Sequence, residues 1–203
     1  MSSKPLWWVT ASETVEVNNQ FRIIGGEWRS RKLTFPDAEG LRPTSGRVRE
    51  TLFNWLQDDL AGARCLDLFA GSGALGLEAA SRGAATVIQV ENSQPVIRAL
   101  KANKERLKAT RISIIKADTL AFLKKRVGSG FDLVFMDPPF HQNLLLPTCR
   151  LLEQNDWLNE GAKIYLEVEK RFELEGEGLL PENWQQLKSK KAGEVCYFLY
   201  QSV

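Results

Sequence analysis

From residue 64 onward, short apolar segments alternate with segments of helical periodicity. The apolar segments are RCLDLF, TVIQVE, ISIIKA, FDLVFM and KIYLEVE. The helical segments between them run from about Ala74 to Ser81 and through VIRALKANKERLK, TLAFLKKR and NLLLPTCRLLEQ. Repeated strand and helix units of this kind predict a parallel sheet with helices on both faces. The chain is therefore predicted to be an α/β protein.

Both ends of this pattern carry a predicted hairpin. Near the C-terminus, WQQLKSKKA and VCYFLYQ are joined by residues 192–194 with no helix between them, which predicts an antiparallel hairpin. Ahead of the sheet, FRIIGGEWRSRKL predicts a short hairpin that turns at Gly25 and Gly26. Thr44 or Ser45 can then cap a helix that runs through VRETLFNWL.

The composition is that of one globular domain with a small appendage, since 43% of the 203 residues are hydrophobic and 26% are charged. No apolar run reaches the length of a membrane span, and the first twenty residues lack the pattern of a signal peptide. We therefore expect a cytoplasmic protein in which residues 1–20 form a flexible tail.

The cysteines and the single histidine limit the chemistry that is available. Cys65, Cys149 and Cys196 lie far apart in apolar segments, which indicates reduced core thiols rather than disulfides or zinc ligands. Because His141 is the only histidine, histidine-based metal sites and Ser-His-Asp hydrolysis lose support. We expect no metal ion, and we treat His141 as a polar residue after a turn.

Positive charge is concentrated in one part of the sequence. The formal net charge is only +2, but residues 98–126 contain ten lysines and arginines against two acidic residues. A positively charged surface formed by this stretch suggests a polyanionic partner such as nucleic acid. The alternative is a solvated helix face that binds nothing.

A glycine-rich segment follows the first strand of the sheet. The sequence from Asp67 to Gly76, DLFAGSGALG, contains G-x-G-x-x-G, and Glu91 follows Gly71 by twenty residues at the end of the next strand. This spacing is typical of a nucleotide-binding fold, in which the acidic residue accepts hydrogen bonds from ribose hydroxyls. Asp67 would repel a pyrophosphate but attract the cationic S-adenosylmethionine (SAM). The alternative for Asp67 is a turn or cap residue.

Acidic residues follow three successive predicted strands. Asp118 ends the run IKAD, where a carboxylate can accept a hydrogen bond from an adenine amino group, and it can also cap the following helix. Because parallel strands end at the same edge of a sheet, Asp67, Glu91 and Asp118 are expected to face one crevice.

The fourth strand ends in Asp137, Pro138, Pro139 and Phe140. Two consecutive prolines stop a strand and leave backbone carbonyls free of the ladder. A carboxylate, a free carbonyl and a ring in one rigid turn can hold a flat group that carries N–H donors. An ordinary strand-ending turn would have the same sequence.

The order DLFAGSGALGLEA, an acidic strand end, IKAD and DPPF resembles class I SAM-dependent methyltransferases that act on exocyclic amines of bases. With GGEWRSRKL and LRPTSGRVRETLFNWL, the chain resembles more narrowly the bacterial guanine-N2 methyltransferases of small-subunit (16S) ribosomal RNA. Two departures are Asp137, where many amino-methyltransferases have Asn, and Phe140, where many have Tyr. Each replacement keeps an acceptor oxygen or a stacking ring.

The resemblance implies a Rossmann-like, seven-stranded, mostly parallel sheet in residues 61–203 and an RNA-contacting hairpin and helix in residues 21–60. It implies a catalytic site, a SAM site and RNA contacts on a monomer that acts on ribosomal RNA within the small subunit. The catalytic residues implied are Asp137, Pro138, Pro139 and Phe140. The cofactor-binding residues implied are Asp67, Phe69, Ala70, Gly71, Ser72, Gly73, Glu91 and Asp118. The RNA-binding residues implied are Arg29, Arg31, Lys32, Arg42 and Arg47, with Arg49 as a further candidate. The alternative is that some of these arginines pair with Glu27, Asp37 or Glu50 and only fasten the segment to the domain, Arg47 and Arg49 above all.

Two other functions remain open at this point. G-x-G-x-x-G and Glu91 also suit an NAD-type oxidoreductase, although Asp67 and the terminal hairpin argue against it. A non-catalytic RNA-binding assembly factor with a methyltransferase fold would carry the same basic segments.

For the methyltransferase, we expect Asp137 and the Pro138 carbonyl to accept the two N–H bonds of guanine N2 while Phe140 stacks on the base. We also expect the segment that Arg29, Arg31, Lys32, Arg42, Arg47 and Arg49 surround to fold over the cofactor edge.

Overall fold

The computed structural model describes residues 18–37, 44–125, 128–140, 142–170 and 179–203. The strands are β1 (Asn18–Arg22), β2 (Lys32–Pro36), β3 (Arg64–Asp67), β4 (Thr86–Glu91), β5 (Ile112–Lys116), β6 (Phe131–Met136), β7 (Leu158–Glu169), β8 (Trp184–Ala192) and β9 (Val195–Ser202). The helices are α1 (Gly46–Trp55), α2 (Ala74–Ser81), α3 (Gln94–Leu107), α4 (Thr119–Leu123) and α5 (Leu145–Gln154). No helix among these described residues is long and apolar enough to cross a membrane.

Seven strands form the main sheet in the order β5-β4-β3-β6-β7-β9-β8. Strands β3 to β7 run parallel to one another, whereas β9 lies between β7 and β8 and is antiparallel to both. The predicted α/β fold, with a mostly parallel sheet and an antiparallel C-terminal hairpin, is confirmed. Strand β7 begins at Leu158, earlier than the predicted run KIYLEVE, with a register shift against β6 after Phe131.

The hydrophobic core lies in two main layers, one on each face of this sheet. Along β6, Leu133 and Phe135 belong to the layer that contains β1, β2, α1 and α2, whereas Val134 and Met136 belong to the layer under α5. This alternation follows from the two-residue repeat of a strand. Because β6 is apolar on both faces, it is a central strand, and its end is held firmly in the middle of the sheet.

The N-terminal hairpin shares the core of the sheet. Strands β1 and β2 pair with Phe21 opposite Leu33, and both side chains are buried in the layer that also contains Tyr165 of β7. The predicted boundary at residue 20 falls inside β1, while residues 1–17 lie outside the described part of the chain. The predicted segments 21–60 and 61–203 therefore pack together.

The predicted hairpin is present, but its turn is longer than expected, because the connection between β1 and β2 spans residues 23–31. Gly26 begins a turn in this connection, since its φ is 75° and its carbonyl accepts from the Arg29 N–H at 3.2 Å. Both glycines also dock on α2. The Glu27 N–H donates to the Ser81 carbonyl at 2.7 Å, and a Cβ added at Gly26 would lie 1.9 Å from that oxygen. Both the left-handed φ of the turn and the close backbone approach therefore require glycine at position 26.

This docking also changes the expected place of the hairpin tip. Ser81 ends α2, whereas the glycine-rich loop precedes the first residue of that helix. An eight-residue helix is about 12 Å long. The connection that carries Arg29 and Arg31 therefore lies at the far end of α2, so the expectation that the segment folds over the cofactor edge is wrong for this hairpin part. The later part of the segment does reach that edge, where Thr44 contacts Asp137.

Candidate active site

The glycine-rich loop makes a tight turn between β3 and α2. Gly71 and Gly73 have φ values of 50° and 80°, which side chains rarely adopt, and the Gly73 N–H donates to the Ala70 carbonyl at 2.7 Å. The Gly71 N–H donates to Glu91 Oε2 at 3.0 Å. The loop is thus joined to the end of β4, as expected for a nucleotide-binding crevice.

Asp67 lies beneath this loop and is only 2% exposed. Its Oδ2 accepts hydrogen bonds from the Gly76 N–H at 3.1 Å and from Gln89 Nε2 at 3.3 Å. Burial raises the pKa of Asp67 to about 6, although the bonds from Gln89 and Gly76 oppose the rise. Asp67 therefore has a structural role, as its alternative interpretation predicted, because its carboxylate joins the start of α2 to β4.

Gln89 was not found from the sequence. It occupies a buried position in β4, between Ile88 and Val90, and a Cβ at Gly76 would lie 2.6 Å from its Nε2. A glutamine inside an apolar strand is the available signal, because buried polar groups almost always have a partner. The third glycine of G-x-G-x-x-G thus makes room for the Gln89 and Asp67 pair.

Glu91 and Asp118 follow neighbouring strands at this edge. Glu91 is half-buried, and its Oε1 accepts from the backbone N–H groups of Asn92 at 2.9 Å and Ser93 at 2.8 Å. Asp118 is exposed and caps α4, with Oδ1 accepting from the Ala121 N–H at 2.8 Å. The predicted helix-capping role of Asp118 is confirmed, and the exposed carboxylate keeps lone pairs that face solvent.

The remaining predicted cofactor residues line the same turn. Phe69 is half-buried, Ser72 is buried, and Ala70 packs with Val96 and Leu100 of α3. The chemistry of the crevice does not suit a pyrophosphate, because Glu91 already accepts the Gly71 N–H that a phosphate would use. Carboxylates at three strand ends instead suit a ligand with hydroxyl groups, an amino group and positive charge. The described residues therefore fit SAM better than a dinucleotide.

The DPPF turn lies next to this crevice. Strand β6 is paired with β3, with Phe135 opposite Asp67, so the turn that follows Met136 emerges beside the glycine-rich loop. Asp137 is half-buried, Pro138 is buried and Pro139 is exposed. The Phe140 ring is 40% exposed, which is unusual among the large hydrophobic side chains described. An exposed ring beside a partly covered carboxylate can accept a planar group against its face.

A threonine from the N-terminal segment holds Asp137. Thr44 Oγ1 donates to Asp137 Oδ2 at 3.2 Å, while Ser45 rather than Thr44 caps α1 by accepting from the Val48 N–H. Arg49 Nε donates to the Thr44 carbonyl at 3.2 Å. Sequence analysis gave Thr44 only as a possible cap, since a long-range hydrogen bond leaves no local pattern.

The arginine of this group is a structural residue. Arg49 is buried, its Nη1 lies 3.6 Å from Glu78 Oε2, and its guanidinium lies over the ring of Phe21. Burial lowers the pKa of Arg49, and the nearby Glu78 opposes that shift. Arg49 therefore fastens the segment to the domain, as the structural alternative predicted, and is not an RNA contact. Its acidic partner is Glu78 rather than Glu27, Asp37 or Glu50.

Two more buried groups lie behind Asp137. Tyr165 Oη donates to Glu167 Oε2 at 2.7 Å, and both side chains are buried in β7. Burial raises the pKa of Asp137 well above its ordinary value, and the charge of Glu167 raises it further. The sequence gave no sign of this pair, because Glu167 alternates with apolar residues as a solvent-facing strand residue would.

The predicted RNA-binding residues are separated in space. Arg29, Arg31 and Lys32 are exposed near the far end of α2, and Arg47 is exposed on the first turn of α1, three residues after Thr44. Arg42 and His141 lie outside the described residues. Within the described ranges, no group of three or more His, Cys, Asp or Glu side chains could hold a metal ion.

The raised pKa of Asp67 predicts how stability changes with pH. Asp67 binds its proton more tightly in the folded chain, so its stabilising contribution is present below about pH 4 and is lost as the pH rises through about 6. A shift of roughly two units corresponds to about 3 kcal/mol. Asp67→Asn keeps an acceptor oxygen but does not titrate. Denaturant unfolding should show the variant gaining about 2–3 kcal/mol relative to wild type between about pH 4 and pH 8. A difference in the free energy of unfolding that stays the same from about pH 4 to pH 8 would mean that Asp67 is ionised over this whole range.

The protein has close relatives in sequence and structure. The sequence profile of the family described as conserved hypothetical protein 95 matches residues 21–201. The chain is 48% identical over 184 residues to ribosomal RNA small subunit methyltransferase D of Escherichia coli strain K12, with 91% of each protein covered. The solved structure of the putative methyltransferase yhhF from Escherichia coli has a TM-score of 0.83 and 46% identity, covering 91% of this chain and 98% of that one.

A more distant solved structure has the same fold. The 16S rRNA methyltransferase RsmC of Thermus thermophilus, in complex with AdoMet and guanosine, has a TM-score of 0.68 and 24% identity. The match covers 92% of this chain and 50% of that one. At this identity the likeness concerns the fold, and it agrees with the seven-stranded sheet described above.

Proposed function

This chain belongs to the conserved hypothetical protein 95 family, and we propose that it methylates the exocyclic N2 of a guanine in small-subunit ribosomal RNA. It is a SAM-dependent methyltransferase of ribosomal RNA, and the Escherichia coli relative to which it is 48% identical is named as a small-subunit ribosomal RNA methyltransferase. We further propose that the protein acts as a monomer in the cytoplasm. Its substrate is then the ribosomal RNA of an assembled or assembling small-subunit particle.

The observation that carries the proposal is the DPPF turn beside the glycine-rich loop. Guanine N2 is a poor nucleophile because its lone pair is delocalised into the ring. If Asp137 and the Pro138 carbonyl accept its two N–H bonds, the nitrogen is held and its lone pair is directed out of the ring plane. Catalysis is then mainly orientation and electrostatics. The exposed ring of Phe140 can stack on the base, which has to leave the RNA stack to reach this turn.

The residues that hold the cofactor follow from the crevice. Gly71 and Gly73 let the backbone approach the ligand, Glu91 accepts from ribose hydroxyls, and Asp118 accepts from the adenine amino group. Asp67 contributes negative charge from beneath the loop. When bound, SAM supplies an electrophilic methyl group. Calorimetric titration with SAM and separately with NAD tests this assignment, and tight binding of NAD in place of SAM would contradict it.

The exposed arginines give the proposed RNA contact. The DPPF turn lies beside the loop that precedes α2, whereas the connection that carries Arg29 and Arg31 docks at the other end of this helix, so one RNA that contacts both has to extend along the domain. Each phosphate contact adds a nearly fixed increment to the salt dependence of binding.

A double variant at the tip tests that contact. Arg29→Ala with Arg31→Ala should lower RNA affinity and reduce the salt slope by roughly two phosphate contacts, while SAM affinity and melting temperature stay the same. The matched control is Lys188→Ala with Lys190→Ala, which removes the same charge from the exposed edge strand β8. RNA titrations at several salt concentrations give the slopes. Equal slopes for wild type and the tip variant would exclude the tip from RNA binding.

The central test of the proposed function is transfer of labelled methyl from SAM to ribosomal RNA. Naked RNA and small-subunit particles are compared as acceptors. We expect incorporation into RNA in at least one of these forms. A protein that binds RNA but transfers no methyl to either would instead be the non-catalytic assembly factor.

A further inference from the structure

Glu167 carries a buried carboxyl group that has no role in the reaction as described above. Strands β6 and β7 are parallel, with Met136 opposite Leu166, so Asp137 and Glu167 are the next residues along two neighbouring strands. Glu167 is 6% exposed, and it accepts a hydrogen bond from Tyr165 Oη at 2.7 Å. It therefore stands directly behind the residue that faces the substrate.

The surroundings of these two carboxyl groups contain little positive charge. Within the described residues neither carboxylate takes part in an ion pair. The groups that face them are Asp67 on β3, Tyr165 on β7, Tyr197 on β9 and the Thr44 hydroxyl. The nearest buried guanidinium, that of Arg49, is committed to Glu78 and to the Thr44 carbonyl.

Two adjacent carboxyl groups under these conditions cannot both be ionised at low cost. Burial raises the pKa of Asp137 and of Glu167, and their mutual repulsion adds to the rise for Asp137. The Tyr165 hydroxyl lowers the pKa of Glu167 but does not cancel the effect of burial. Groups coupled in this way titrate as a pair.

We propose that Asp137 and Glu167 share one proton, which Asp137 holds in the free protein and which passes to Glu167 when Asp137 accepts the N–H hydrogen bond of the substrate amine. This inference rests on the proposed function. Glu167 acts through Asp137 and is therefore a positioning residue. With the proton on Glu167, Asp137 faces the amine as an anion.

The same arrangement accounts for the proton that the amine loses. Once N2 has gained a methyl group, one of its N–H bonds breaks, the electron pair stays on nitrogen, and the proton forms an O–H bond with Asp137. The pair then holds two protons, one on each carboxyl group, and releases one to water before the next turnover. No oxidant, reductant or further reactant is required.

Glu167→Gln isolates this role. The amide has the size of the carboxyl group and keeps an oxygen that can accept from Tyr165, but it neither ionises nor exchanges a proton with Asp137. Removal of the like charge lowers the pKa of Asp137, so the acidic limb of the pH–rate profile should move to lower pH by about one unit or more. Glu160→Gln, on the exposed beginning of the same strand, is the matched control and should leave the profile unchanged.

Two readouts test the inference independently. The first is ¹³C NMR titration of side-chain carboxyl groups in the SAM-free protein, with Asp137→Asn used to assign the Asp137 signal. Wild type should show two coupled steps at Asp137, and Glu167→Gln a single step at lower pH. The second is the pH–rate profile of methyl transfer. If Glu167→Gln does not fold, Tyr165→Phe replaces it, because loss of the hydroxyl favours protonated Glu167 and shifts Asp137 in the same direction by less.

The outcomes separate this inference from the proposed function. An Asp137 signal that titrates at the same pH in wild type and in the Glu167 variant overturns the shared proton, whatever the activity. A wild-type protein with coupled carboxyl titrations but no methyl transfer to RNA keeps the pair and overturns the proposed function.

Discussion

Replacing Asp137 with alanine is expected to lower methyl transfer to ribosomal RNA by about 10³-fold or more, while SAM affinity stays within a few fold of wild type. The side chain lies at the end of β6 and is held by Thr44, whereas the cofactor residues lie at the ends of β3, β4 and β5. Loss of the carboxylate removes the acceptor that orients the amine, and it leaves the glycine-rich loop intact. Single-turnover kinetics with saturating SAM, together with calorimetry, measures both quantities.

Asp137→Asn is the matched variant for this prediction. The amide oxygen can still accept one N–H bond, and the Thr44 hydroxyl can rotate to serve either end of the amide. We expect more activity than in the alanine variant and less than in wild type. Near-normal turnover of the alanine variant would remove Asp137 from the reaction.

Replacing Glu78 with glutamine is expected to cost about 3–5 kcal/mol of the free energy of unfolding. Glu78 is 0% exposed and accepts from the N–H groups of Ile24 at 2.8 Å and Gly25 at 2.7 Å. Its carboxylate also accepts from Arg82 Nε at 2.8 Å and lies 3.6 Å from Arg49 Nη1. The amide would leave the Arg49 charge buried without its partner, and its own NH₂ would face donors.

Urea unfolding monitored by tryptophan fluorescence measures the effect. The control is Glu27→Gln, which removes the charge from the exposed pair with Arg111 and should cost below about 1 kcal/mol. Because Arg49 also holds the Thr44 carbonyl, the Glu78 variant should lose methyl transfer under conditions in which it is still folded. A loss of stability as small as that of the control would show that the network around Glu78 is not needed to dock the hairpin on α2.

The sheet could be predicted from the sequence because its signals are local. Strand β8 has the bounds of the run WQQLKSKKA, and α2 has the predicted bounds Ala74–Ser81. Apolar runs, helical periodicity and the hairpin at Gly193 each act within a few residues. The same holds for the glycine-rich loop and the DPPF turn, which are contiguous segments.

The missed features all depend on contacts between distant segments. Gly26 was predicted as a turn glycine, but its approach to the Ser81 carbonyl on another element was not predicted. Glu167 alternates with apolar residues along β7, yet the strand lies between β6 and β9, so its polar side chain is buried. Thr44 and Gln89 each bond to an aspartate in a different segment. A pattern within one segment cannot reveal such partners.

The most direct test of the central claim is nucleoside analysis of labelled RNA. Small-subunit particles and naked 16S ribosomal RNA are incubated with wild-type protein and methyl-labelled SAM, digested to nucleosides and separated by chromatography with mass detection. Asp137→Ala serves as the inactive control. We expect the label to elute as N2-methylguanosine after incubation with wild type, and we expect no label in RNA incubated with Asp137→Ala. Label in any other nucleoside, or equal label with wild type and Asp137→Ala, would contradict it.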